Sequence, residues 1–167
     1  LADKVGDLLP LDEGDMKAFV RLPTEAEWEF DARGGRKVSA EVFRQKTPYG
    51  GGPLEQHEWF GGPTSSYNKL QPVGRLKANP LGLHDMLGNA SEMTGTPFQL
   101  KAGQGPTGGG VKRGGNYRTR PDELRSSMRG EFSQFDVAGD NKGASELGFR
   151  LVLAAPVFSD TARVEEL

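Results

Sequence analysis

The chain is 167 residues long, carries 21 basic and 23 acidic residues for a formal net charge of −2, and contains no cysteine. Its length suits a single domain with one modest core, its balanced charge gives no electrostatic footprint for nucleic acid, and no run of about 18 apolar residues is available to span a bilayer. Without cysteine there are no disulfides, no thiolate nucleophiles and no cysteine-ligated zinc or copper.

Glycine (24) and proline (11) are abundant and only 35% of the residues are hydrophobic. Such a composition places much of the chain in turns and irregular backbone, and bound metal would help to hold it. A chain that opens on Leu1 is expected to be a processed or truncated piece, and no signal-peptide pattern opens it. Residues 1–20 read as acidic loop with one short helical turn. The first clear element is a helix announced by Pro23 and Thr24 before EAEWEFDARGG. Thr24 is its N-cap and Glu27 its capping-box partner. Glu25, Glu27 and Glu29 favour the positive helix end, Ala26, Trp28 and Phe30 give an apolar side, and Gly34 and Gly35 stop it.

Residues 36–80 read mainly as loop, with turn clusters at TPYGGGP and FGGPTSS and a short strand over Leu70–Leu76 interrupted at Pro72. LGLHDMLGNASEMT, residues 81–94, reads as a hard-metal loop. Asp85 and Glu92 offer carboxylate oxygens, and Gly88 and Asn89 let the backbone turn tightly. Residues 95–110 form a glycine-rich loop, and Val111–Arg113 a strand ending at Gly114 and Gly115. Leu124–Arg129 continues as a strand or a helical turn, and residues 133–146 as polar loop. Gly148–Leu153, GFRLVL, is the best strand of the chain, apolar enough to sit centrally. The C-terminal tail reads as exposed. Trp28, Phe30, Trp59, Tyr117 and Phe149 read as core aromatics, Trp59 being the one allowed to the surface.

Four segments in order, RLPTEAEWEFDARGG at 21–35, NPLGLHDMLGNASEMT at 79–94, VKRGGNYRTR at 111–120 and LGFRLVL at 147–153, resemble the formylglycine-generating-enzyme (sulfatase-modifying factor) family. The resemblance covers roughly residues 20–154. It implies an α+β fold, a variant of the C-type lectin fold with little regular secondary structure. One domain over 1–167 is expected, the C-terminal part of a larger family domain, with 1–20 and 155–167 peripheral.

The resemblance also implies a calcium site formed by Asp85, Gly88, Ala90 and Glu92, through two side chains and two backbone carbonyls. The chemistry agrees, since calcium takes roughly six to eight oxygens in flexible geometry. A plain turn capped by these carboxylates is the alternative. Relatives carry tryptophan where this chain has Ser91 and Met93, so the wall around the site differs. The oxidase members use a copper-binding cysteine pair in the stretch equivalent to Asn116–Arg129, and this chain has no thiol there. That excludes the copper(I)-thiolate mechanism. An iron site would need two histidines and a carboxylate on one face, and only His57 and His84 are available.

Arg21 and Arg150 read as internal staples that pair with carboxylates, the glutamates of RLPTEAEWE being the candidate partners. Asn116 and the arginines of 113–129 (Arg113, Arg118, Arg120, Arg125 and Arg129) offer a cleft for an anionic ligand, and a solvated face balanced by Asp122, Glu123 and Glu131 is the other reading. Among functions, a non-catalytic, calcium-stabilised binding or regulatory domain with a protein partner leads. Some relatives of this kind are accessory proteins of bacterial type VI secretion, acting upstream of a membrane-bound kinase, which implies a periplasmic or extracellular location. Two other readings stay open. One is an iron-dependent or tailoring oxidoreductase; the other is a ligand-display protein of a diversity-generating retroelement, varying between Asn116 and Glu146.

Overall fold

The structure, a computed structural model, describes residues 19–47, 49, 52–101, 103, 105–133 and 144–154. The expectations for residues 1–18 and for the tail after 154 lie outside the described residues, as does most of the polar loop 133–146. Packing divides the chain into two units. In one, β1 (Phe19–Arg21) pairs antiparallel with β6 (Val152–Ala154), Val20 facing Leu153.

The other unit, Pro23–Arg150, begins with the helix expected from the sequence. α1 spans Glu25–Ala32 and is opened by a complete capping box. The Thr24 hydroxyl accepts from Glu27 N at 3.2 Å, and the Glu27 carboxylate returns to Thr24 N at 2.8 Å. The chain leaves α1 through Gly34 and Gly35, both left-handed, and makes a short helix α2 (Ala40–Phe43) capped by Ser39.

A four-stranded sheet follows, in the order β4-β3-β2-β5. β2 covers Ser91–Pro97, β3 Gly110–Arg113, β4 Arg129–Phe132 and β5 Leu147–Phe149. β2 pairs antiparallel with β3 and parallel with β5, and β3 antiparallel with β4. Three expectations change here. Leu70–Leu76 makes no strand, because its backbone partners are side chains of the 81–94 loop. β2 starts inside what read as loop, since SEMTGTP lacks a plain apolar alternation. GFRLVL is not one central strand. β5 lies at the sheet edge, Arg150 and Leu151 interrupt, and β6 belongs to the other unit.

Side chains alternate across a sheet, and the register sorts this one cleanly. Glu92 faces Arg113, and Arg113 faces Arg129, on the side that receives α1. Ser91, Met93, Lys112, Gly130 and Leu147 lie on the opposite side. The core combines Trp28 and Ala32 of α1 with Tyr49, Phe60, Met86, Leu87 and Leu124. Of the expected core aromatics, Trp28 and Tyr117 are buried. Phe30 (42% exposed) rests against Phe43, ring centroids 5.8 Å apart, and Phe149 (60% exposed) stands on the outer side of an edge strand.

Two buried features make the packing testable. Gly88 has φ +79°, and a Cβ there would collide with the carbonyl of Trp59, whereas Gly82 (φ +85°) has open space around it. Gly82→Ala should therefore cost about 1–2 kcal/mol of backbone strain, and Gly88→Ala substantially more, read as urea midpoints.

Glu58 is the second feature. Its carboxylate accepts from the Tyr49 hydroxyl and, at 2.9 Å, from Leu87 N. Burial pushes its pKa well above the ordinary 4.5, with the Asp85 and Glu92 charges adding and the two hydrogen bonds opposing. A raised folded-state pKa gives stability that is complete below the unfolded value and lost as pH rises through the folded one. The stability of the wild type should fall as pH climbs above about 4.5, and Glu58→Gln should flatten that fall. Parallel pH profiles for the two proteins would refute the assignment.

Candidate functional site

The loop that read as a metal site is built on left-handed backbone. Gly82, Asp85, Gly88 and Asn89 all have positive φ, which for Asp and Asn is tolerated through local side-chain hydrogen bonds. Here both side chains are held instead by backbone groups distant in sequence. Asp85 Oδ2 accepts from Gly74 N at 2.7 Å. Asn89 Oδ1 accepts from Gln71 N at 3.0 Å, and Asn89 Nδ2 donates to Gln71 O at 3.1 Å. The loop is also sewn to its neighbours through backbone. Gly88 N donates to Gly114 O, Asn89 N to Trp59 O and Tyr117 N to Asn89 O, each at 2.8 Å.

Of the four expected ligands, Asp85 and Glu92 are buried side chains and Gly88 and Ala90 lie on the turn between them. Asp85 Oδ1 is buried with no hydrogen-bond partner. Glu92 is fully engaged. Arg150 donates to both its oxygens, Nε to Oε2 at 2.6 Å and Nη2 to Oε1 at 2.7 Å. Trp28 Nε1 donates to Oε2 at 2.6 Å, and Arg150 Nη2 also reaches the His84 carbonyl at 3.1 Å. Burial works against the Arg150 charge, but the Glu92 hydrogen bonds and charge, with Asp85 and Glu58 behind them, hold its pKa above the ordinary arginine value. Three buried carboxylates thus lie in electrostatic reach of one guanidinium.

Arg150 is the staple expected of it, with Glu92 rather than the α1 glutamates as its partner. The α1 glutamates instead hold Arg113, 1% exposed. It pairs with Glu29, approaches Glu25 at 3.3 Å, donates to the Ser126 and Ser127 carbonyls, and lies over the Trp28 ring at 5.2 Å. Burial lowers its pKa against the pull of Glu29 and Glu25. Arg21 donates to the Leu22 carbonyl.

The stretch after Gly114 and Gly115 turns tightly. Asn116 Oδ1 accepts from Arg118 N and Thr119 Oγ1 from Asn116 N, both at 2.9 Å. Arg118 lies over the Tyr117 ring at 5.2 Å, Arg120 pairs with Asp122 at 2.8 Å, and Arg125 donates to the Glu123 carbonyl at 3.1 Å. All three guanidinium groups are on exposed residues with local partners, while Leu124 from the same stretch is buried in the core. His84 is exposed and hydrogen-bonded to the Leu76 carbonyl at 2.8 Å, and His57 is buried and stacked on Tyr49 at 4.5 Å. No group of three or more His, Cys, Asp or Glu side chains is placed to hold a metal among the described residues. Among them, too, no helix is long and apolar enough to cross a membrane. Sequence reasoning missed Glu58, and it read Arg113 as an open cleft or surface arginine where the structure buries it against Glu25 and Glu29. The only signal for Glu58 was a carboxylate set inside the aromatic run His57–Phe60.

Comparison with known proteins bears on this arrangement. The model of the sulfatase-modifying factor enzyme 1-like domain matches residues 2–155. The formylglycine-generating enzyme of Mycobacterium tuberculosis is 35% identical over 163 residues, covering 82% of this chain and 52% of that protein. The inactive C-alpha-formylglycine-generating enzyme 2 of Mus musculus is 38% identical over 138 residues, covering 81% and 43%. Variable protein 1 of Treponema denticola superposes with a TM-score of 0.62 at 31% identity, covering 81% of this chain and 48% of that one. The chain thus spans about half the length of the relatives it matches. The fold is the C-type-lectin-like fold of formylglycine-generating enzymes, and with four sequence motifs, the capped helix and the doubly glycine-turned stretch after Arg113 all in place, the chain belongs to the sulfatase-modifying factor enzyme 1-like family.

Proposed function

We propose that this chain is a non-catalytic, calcium-stabilised binding and regulatory domain on the formylglycine-generating-enzyme fold. The observation that carries the reading is the stretch 116–129. It holds no thiol, and it sends Leu124 into the hydrophobic core and its arginines to the surface. Function resides in sites grafted onto a fold, so this fold without thiols cannot run the copper-thiolate oxidation. The likeness to a mouse protein named as inactive supports the same reading. Its role would be that of an accessory regulator in a bacterial secretion or signalling pathway such as type VI secretion, acting through a protein partner in the periplasm or outside the cell.

The loop fits calcium in charge and in donor type. Asp85 supplies a buried oxygen without a partner, and the Arg150 guanidinium, bonded to Glu92, also feels the charges of Asp85 and Glu58. Gly88 and Ala90 add carbonyls on the same turn. Glu92 already spends both oxygens on Arg150, so Arg150 is the internal cation with which the ion shares that carboxylate. When bound, calcium would supply charge neutralisation and cross-linking of the turn. The chain's own residues do the rest, with Asn89 clamping Gln71 and Gly88 admitting Trp59.

Calcium should raise the melting temperature of the wild type. Asp85→Ala with Glu92→Ala should lower the melting temperature and abolish the calcium-dependent rise. Asp85→Asn should abolish the rise while sparing Arg150 its partner; an undiminished calcium response in both variants would sink the site. With copper, oxygen and a sulfatase-motif peptide, mass spectrometry should find no formylglycine, and its appearance would overturn the non-catalytic reading.

A further inference from the structure

The side of the four-stranded sheet that faces away from α1 carries a pocket of about 420 Å³. Its floor is set by sheet register. Ser91 of β2 and Leu147 of β5 are paired neighbours, and Lys112 of β3 faces Gly130 of β4. Phe132 and Glu146 complete the part used here. The position of Lys112 is built, not incidental. A Cβ at residue 130 would sit 3.2 Å from Lys112 Cε, so the glycine leaves room for the stem of a lysine that lines the pocket. Lys112 has no ion-pair partner among the described residues.

Across from it, the Glu146 backbone carbonyl accepts from Ser91 N at 2.8 Å, fixing that segment to β2. The Ser145 hydroxyl donates to the Glu146 carboxylate at 2.9 Å, and with the Arg118 and Lys112 charges it lowers the carboxyl pKa. Glu146 is therefore an anion at neutral pH. Ser91 is itself almost fully buried, and its small side chain leaves the volume open.

Lys112 and Glu146 lie within electrostatic reach of each other over an apolar floor of Leu147 and Phe132; Glu131 also lines the pocket, its carboxylate accepting from the Thr107 hydroxyl. The Lys112–Glu146 pair matches a small molecule with the opposite charges at its two ends and an apolar body between. We propose that this pocket binds a zwitterion of the amino-acid class, a free amino acid or a dipeptide, with its carboxylate on Lys112, its ammonium on Glu146 and its apolar side chain on Phe132 and Leu147. A pocket of several hundred cubic ångströms is of the size that takes such ligands. The inference uses neither the calcium loop nor the absence of thiols.

The test is calorimetric titration of the full chain with the dipeptide Ala-Leu, its N-acetylated form and its C-terminal amide. Saturable binding of Ala-Leu is expected, with each blocked form weaker by about tenfold or more, the equivalent of one lost charged contact. Lys112→Met should weaken Ala-Leu by a similar factor and erase its advantage over the amide. Glu146→Gln should erase its advantage over the acetylated form. Ser91→Trp should abolish binding by filling the pocket, and the two charge variants keep the test decisive if that variant does not fold. Absence of binding at millimolar Ala-Leu, equal binding of the blocked forms, or unchanged affinity in Lys112→Met would each overturn the proposal.

Discussion

The fork of Arg150 on Glu92, completed by the indole of Trp28, is the contact on which the larger unit depends. It joins the strand centre of the sheet, the first helix and the residue that follows β5, and it does so through a single carboxylate. A bidentate guanidinium–carboxylate pair fixes orientation as well as energy. Removing one partner from a fully buried pair costs about 3–5 kcal/mol; with the Arg150 side chain 22% exposed and that of Glu92 11%, water screens part of that cost here. The α1 side of the sheet repeats the device with Arg113, Glu25 and Glu29. In a chain so poor in hydrophobic residues, buried ion pairs take over positioning that an apolar core would otherwise perform.

These pairs have a geometric prerequisite in the glycines. Gly88 lets the 81–94 loop approach the backbone of Trp59, and Gly114 passes close to the carbonyl of Met86 and the ring of Trp28. Both positions are left-handed. The loops can therefore be long in sequence and still tightly tied, as the exchanges between Gly88 and Gly114, Asn89 and Trp59, and Tyr117 and Asn89 show. Order in this molecule comes mostly from loop-to-loop hydrogen bonds and only secondarily from regular elements.

That explains what could and could not be read from the sequence. The start of α1 was legible to the residue because a capping box is a local device, specified by Thr24 and Glu27 three positions apart in the chain, with glycines just beyond the other end. β3 was legible because it ends at two glycines. β2 was not, since its pairing is decided by β3 and β5, far away in the sequence. Arg150 was legible as a staple, but its partner was not, because nothing local distinguishes Glu92 from the glutamates of α1. Leu70–Leu76 has the letters of a strand, yet Asn89 and Asp85 claim its backbone groups first. Of the site, the loop's acidic character and the loss of thiols were visible; the engagement of Glu92 and the neighbouring Glu58 were facts of three-dimensional packing.

The side chain of Asn89 has one more consequence. With Ala90 and Ser91 it spells an acceptor sequence for N-linked glycans, yet it is 2% exposed and both polar ends of its amide are committed to the backbone of Gln71. The folded chain cannot be modified there. In a secretory host that attaches glycans to nascent polypeptide, the sugar would arrive before the loop closes, and the modified asparagine could no longer make the clamp. Glycan attachment at Asn89 and closure of the 81–94 loop on Gln71 therefore exclude each other.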